Sequence, residues 1–203
     1  MNVYVETNFV MEIVRAQEQS DSCEKIIQLS ESNKIQLVIP AYSLVEPYET
    51  LIRDATNRRK LSEPLSKELK QLSRSKPYKD AVDDLQKITA FLVQIQEDEK
   101  AKLSQALSRI LATAEVIPLN AEILRSAISY QTSHSLSPQD AIVYASVLDH
   151  LSNSTVALKC FLNRNSKDFD APDIVDTLLK GGCKMLFNFD KGYDYISNKI
   201  TPP

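Results

Sequence analysis

Four carboxylates stand where this sequence passes from one apolar run to the next. Glu6 closes the run NVYVE at residues 2–6, and Glu46 lies six residues beyond Pro40, which ends the run QLVIP. Asp140 sits in SLSPQDAIVYASVLDHL, at the start of a strongly apolar helical pattern. Asp168 follows the run KCFLNR, with Asp170 two residues further on. Carboxylates gathered at one place repel one another, and crowding pushes protons onto some of them. A hard divalent cation resolves that conflict, because Mg²⁺ and Mn²⁺ prefer oxygen ligands and retain waters. Such an ion lowers the pKa of its water and neutralises charge developing on a phosphoryl oxygen, which suits hydrolysis of a phosphodiester.

Each acid also has a plainer reading. Ser137, Pro138, Gln139 and Asp140 form a good helix start, with serine as N-cap, proline at the first position and an acid at the third. Glu46 fits a solvent-facing helix residue, with Glu49 close by. Asp170, before Ala171 and Pro172, fits the cap of a following helix.

What must position these acids is a parallel sheet. Short apolar, often β-branched runs alternate with helical patterns, the signature of an α/β fold, and five runs are readable: residues 2–6, the QLVIP run, residues 114–119, and the runs starting at Lys159 and Lys184. Thr7 or Asn8 is the expected cap of a first helix carrying Phe9, Val10, Ile13 and Val14, and a second helix is expected over about residues 22–32. The Gly181-Gly182 pair ends a helix ahead of the last strand. Strands and helices together predict a three-layer α/β/α sandwich around a mainly parallel sheet. Parallel sheets gather functional groups beyond the C-terminal ends of their strands, near a topological switch point, and all four acids fall there.

Residues 54–111 break the alternation. They carry almost no strand signal and read as long amphipathic helices split near residues 75–77, a helical insertion within a single domain spanning 1–203. Its first part holds Arg58, Arg59, Lys60, Lys67, Lys70, Arg74 and Lys76 against Glu63 and Glu68, a basic face able to track a phosphate backbone. A plain solvated face is the alternative. Residues 193–203 read as a last helix and a frayed tail.

Composition narrows the classes further. The chain has 203 residues, 43% apolar and 25% charged, with a formal net charge of −3, so any polynucleotide contact must come from a local patch. Cys23, Cys160 and Cys183 are odd in number and widely spaced, which predicts reduced thiols. His134 and His150 lack partners at ligand spacing, which argues against zinc. Only three glycines occur, so neither a dinucleotide turn nor a P-loop can be built. With no signal-peptide pattern and no run of ~20 apolar residues, the expectation is a cytoplasmic protein without a membrane segment.

The segments VYVETNFVMEI, SLSPQDAIVYASVL and FLNRNSKDF, in this order and at strand ends, resemble the PIN domain, a metal-dependent nuclease fold found in toxin nucleases and RNA-processing enzymes. The resemblance covers residues 1–53 and 114–196. It implies Glu6, Glu46 and Asp140 as the first three acids of the site, with Asp168 completing it, and Glu6, Asp140 and Asp168 as ligands of Mg²⁺ or Mn²⁺. Asn8 would orient the first acid, with Asn163 and Asn165 supporting the fourth region. Arg164 joins Arg58, Arg59 and Lys60 as candidate nucleic-acid contacts. The family usually opens on Asp where this chain has Glu6, and often carries Thr-x-Asp where it has Asn163, Arg164 and Asn165. The expected activity is endonucleolytic, on RNA or else on DNA. The alternative implied by the two departures is a non-catalytic module binding RNA or a protein. Family analogy further admits a homodimer and an antitoxin-like protein partner.

Overall fold

The computed structural model describes residues 1–200, apart from the side chains at positions 80, 81 and 83. The tail expected at 201–203 lies outside the described residues. Five short strands form one sheet: β1 (Asn2–Val5), β2 (Gln36–Pro40), β3 (Glu115–Ile117), β4 (Lys159–Leu162) and β5 (Cys183–Leu186). Their order is β3-β2-β1-β4-β5 and every pairing is parallel. Strands buried on both faces need apolar residues throughout, and β1 and β4 are buried at every position. The five runs legible in the sequence are therefore the five strands.

Helices cover both faces. Val3, Val5, Leu37, Ile39, Cys160 and Leu162 pack on one side against α1 (Thr7–Arg15), α2 (Ser20–Glu31), the end of α4 (Lys79–Thr113) and α9 (Phe189–Ile200). Tyr4, Val38, Phe161 and Cys183 face the other layer. It comprises α5 (Ala121–Ser133), α6 (Pro138–Asn153), the short α7 (Ser166–Phe169) and α8 (Pro172–Lys180). This is the expected three-layer α/β/α sandwich. All three cysteines are buried and free. No helix among the described residues is long and apolar enough to cross a membrane.

Between β2 and β3 the chain forms α3 (Tyr42–Leu72), a 3-10 turn at Lys76–Tyr78, and α4. α3 runs without interruption through Pro47 and Pro64, so Glu46 and the basic stretch share one helix. The end of α4 belongs to the main core through Leu103, Ala106, Leu107 and Ile110. Burying such aliphatic side chains is worth ~1.5–3 kcal/mol each. At the opposite end of the hairpin Leu69 and Val82 are the buried apolar side chains among the described residues, while Leu85, Ile88 and Phe91 stay exposed.

The sheet order fixes where a site can form. From β1 the chain steps outward to β2 and β3, then returns to place β4 on β1's other side. The crevice at the ends of β1 and β4 is thus the topological switch point. Val5 lies beside Leu162 in the register, so Glu6 and Asn163 leave the sheet together.

Candidate active site

Glu6 is itself the N-cap of α1. Its Oε2 accepts the backbone N–H of Asn8 at 2.8 Å, which satisfies one of the helix's open donors. This corrects the expected cap, Thr7 or Asn8: Thr7 is the first helical residue, and Asn8 contributes its main chain. The other oxygen, Glu6 Oε1, is buried with no hydrogen-bond partner among the described residues. Burial drives the Glu6 carboxyl up to about 8, with the Asn8 backbone bond opposing and the charges of Glu46 and Asp140 adding to the rise.

Glu46 comes off the first turns of α3. Thr7 Oγ1 donates to its Oε2, joining the β1–α1 turn to α3. Its pKa is raised, mainly by burial, against the Thr7 bond and with help from Asp140 and Glu49. Asp140 begins α6 as expected, with Ser137 as N-cap and Pro138 in the first turn. The Ser137 hydroxyl accepts from the Asp140 N–H at 3.1 Å and donates to Asp140 Oδ2 at 2.6 Å. Serine is thus both a cap and a partner of the acid. Asp140 is also raised, first by burial and then by Asp168, while Ser137 and Asn165 favour its charged form.

The loop after β4 supplies the fourth element. Buried Asn163 accepts the Asn165 N–H through Oδ1 at 2.7 Å, setting the turn. The Asn165 amide nitrogen then donates to Asp168 Oδ2 and reaches Asp140 Oδ1 at 3.5 Å. Asp168 itself is exposed. Asp170 is not the expected cap of the following helix: it ends α7 as its C-cap, its N–H donating to the Ser166 carbonyl, and the N-cap of α8 is Ala171.

A groove of about 700 Å³ joins these elements, lined by Glu6, Thr7, Asn8, Glu46, Ser137, Asp140, Arg164 and Asn165 among others. It also takes in Glu12, Arg15 and Arg53, none of which is a site candidate from the sequence; a helical wheel of α1 and α3 is the signal that places the two arginines there. Among the described residues no three acid, histidine or cysteine side chains stand close enough to form a ready metal cage. The basic candidates separate. Arg58 donates to Glu99 through both terminal nitrogens, at 2.6 and 3.0 Å, and so faces α4. Arg59 and Lys60 are exposed on α3, outside the groove. Arg164 lies in the groove but is held by Glu12 and Glu18.

A family model described as PIN domain matches residues 3–169, a span that includes all four acids. This chain belongs to the PIN-domain family, a family of nucleases. Among solved structures, one similar chain comes from the crystal structure of VapBC2 from Rickettsia felis bound to a DNA fragment from their promoter. It is 14% identical, with a TM-score of 0.46, over 92% of this chain and 98% of that one. No curated protein matches this chain.

Proposed function

We propose that the chain is a divalent-metal-dependent endonuclease that hydrolyses RNA in the groove at the β1–β4 switch point. The observation that carries this reading is the Glu6 carboxylate: buried, with one oxygen unpartnered, and opposed by the charges of Glu46 and Asp140. Glu6, Glu46 and Asp140 are each disfavoured as anions, a conflict that a hard cation relieves, so these residues fit Mg²⁺ or Mn²⁺. Glu6, Asp140 and Asp168 would hold the ion. When bound, it supplies a water of lowered pKa and neutralises charge developing on the phosphate.

The chain's own residues do the rest. Glu46, anchored through Oε2 by Thr7 and with its pKa raised, is tuned toward accepting a proton from the attacking water. Asn165 sits between Asp140 and Asp168 as a donor to both, which holds two like charges together. Ser137 fixes the rotamer of Asp140. RNA as substrate is favoured by the family's RNA-processing members.

A second reading, a module that binds RNA or protein without cutting, is supported by the missing ready-made cage among the described residues and by an amide at position 165. One experiment separates the two. Labelled RNA is incubated with the wild type and Asp140→Asn in millimolar Mn²⁺, and both are melted with and without the ion. Nuclease function requires wild-type cleavage that falls by ~10²-fold or more in the variant, together with a Mn²⁺-dependent rise in melting temperature that the variant lacks. Equal cleavage by both proteins would sink this site, and no thermal shift in either would favour the binding module.

A further inference from the structure

We propose that Arg53, Lys60 and Lys67 form a track for the phosphate backbone of a single polynucleotide strand, running from the acidic groove outward along α3. The three cations are spaced by seven residues on one helix. Seven residues fall only ~20° short of two full turns, so the row drifts little and stays on one face. At 1.5 Å per residue it extends about 21 Å from Arg53 to Lys67. Arg53 lines the groove beside the acids, which makes the row continuous with the site.

Several observations separate this row from an ordinary solvated face. All three side chains are exposed, and among the described residues none forms an ion pair, whereas Arg15, Arg58 and Arg164 do. Arg58, offset from Arg53 by five residues, lies about 140° round the helix and is committed to Glu99. The side of α3 turned away from the row carries the buried Leu51, Ser62 and Leu69. The row therefore faces solvent on a helix packed from behind, so the spacing of its three positions is set before any ligand arrives. Glu49 and Glu63 stand one turn before Arg53 and Lys67 and moderate the local field without pairing to them. A chain of net charge −3 repels a polyanion at long range, so a strand needs such a local row to approach an acidic groove at all. The strand's identity as the substrate rests on the nuclease reading, but its binding does not.

The test reads binding without cleavage. In an Asp140→Asn background, anisotropy of a labelled single-stranded RNA of about 20 nucleotides is followed across a salt series, for that protein and for a triple variant Arg53→Gln, Lys60→Gln, Lys67→Gln. A charge-matched control replaces Lys34, Arg125 and Lys180 by Gln, three exposed cations elsewhere. Three lost phosphate contacts should make the slope of log K against log salt shallower by about 2, with affinity at low salt down tenfold or more, and the control should change neither. An unchanged slope in the triple variant, or an equal change in the control, would overturn the track. So would competition by polyglutamate as effective as by unlabelled RNA, which would mark the row as a dock for an acidic protein. RNA bound through the row by a wild-type protein that cuts nothing would support the track while removing the nuclease reading.

Discussion

Arg164 reaches from the end of β4 to Glu12 in the middle of α1, donating through Nη1 to a carboxylate that is only 1% exposed. Glu12 also accepts the Gln19 N–H at 2.7 Å, so one acid ties together α1, the α1–α2 turn and the loop that carries Asn165. The sequence offered Arg164 as a nucleic-acid contact, yet its guanidinium is engaged with Glu12 and with Glu18 at 3.0 Å. Removing one member of such a pair leaves a buried charge without its counterion. Arg164→Met should destabilise the fold by ~3 kcal/mol, the low end for a buried pair because Arg164 is partly exposed. Urea unfolding measures this, and a loss under ~1 kcal/mol would show that the pair is not structural.

Asn165 stands where the resemblance to the family leads one to expect a carboxylate. Its amide donates toward both Asp140 and Asp168, so it stabilises a metal-free arrangement that a carboxylate at this position would not. Asn165→Asp should lower the melting temperature without metal, through like-charge repulsion, and tighten Mn²⁺ binding by about tenfold through the added ligand charge. Calorimetric titration and paired melts report the two effects separately. A variant that is more stable without metal would contradict the bridging role.

The Glu6 carboxyl, raised from the usual 4.5 to about 8 by burial, makes stability depend on pH in a definite direction. Between those values the folded state holds a proton that the unfolded chain has released. Stability of the metal-free protein therefore falls as pH rises from about 4.5 to about 8, by on the order of a few kcal/mol. Glu6→Gln removes this slope and should be more stable than the wild type at pH 8 without metal. A wild-type protein whose metal-free stability is flat or rising across that interval would argue against a buried, unpartnered Glu6.

Much of the fold is legible in the sequence. Short apolar runs mark the strands, continuous in β1 and β4 because both faces of those strands are buried, and Ser137-Pro138 marks the start of α6 through local capping chemistry. Local rules failed where a tertiary partner decides. Glutamate is not among the favoured N-cap residues, so residue type alone points to Thr7 or Asn8; the turn leaving β1 gives the cap to Glu6 instead. Arg58 looked like its neighbours Arg59 and Lys60 until Glu99, 41 residues away, claimed it. Asp170 has the residue type of a cap, but Ala171 occupies the position.

Gly192 on α9 shows how closely the helical layer bears on the strand that delivers Asn163. A Cβ there would stand 2.7 Å from Leu162 Cδ2, and Leu162 is fully buried at the end of β4. Gly192→Ala should cost about 1–3 kcal/mol through overpacking, despite alanine's better helix propensity. The paired change Gly192→Ala with Leu162→Val should recover part of it. Stabilisation by the single substitution would mean that α9 shifts freely, and with it the support of β4.

The bond from Thr7 Oγ1 to Glu46 Oε2 favours the charged form of Glu46, against burial and the repulsion of Asp140. Thr7→Val keeps the shape of the side chain and deletes the donor. The Glu46 pKa should then rise further, because nothing replaces the bond and the opposing causes remain. If Glu46 takes the proton from the attacking water, it must be ionised in the active form. The acidic limb of the pH–rate profile should then move to higher pH in Thr7→Val, with the largest loss of rate at low pH and partial recovery toward the alkaline side. A uniform loss at every pH would assign Thr7 to holding α3 in place rather than to tuning Glu46, and an unchanged profile would remove Glu46 from the proton transfer.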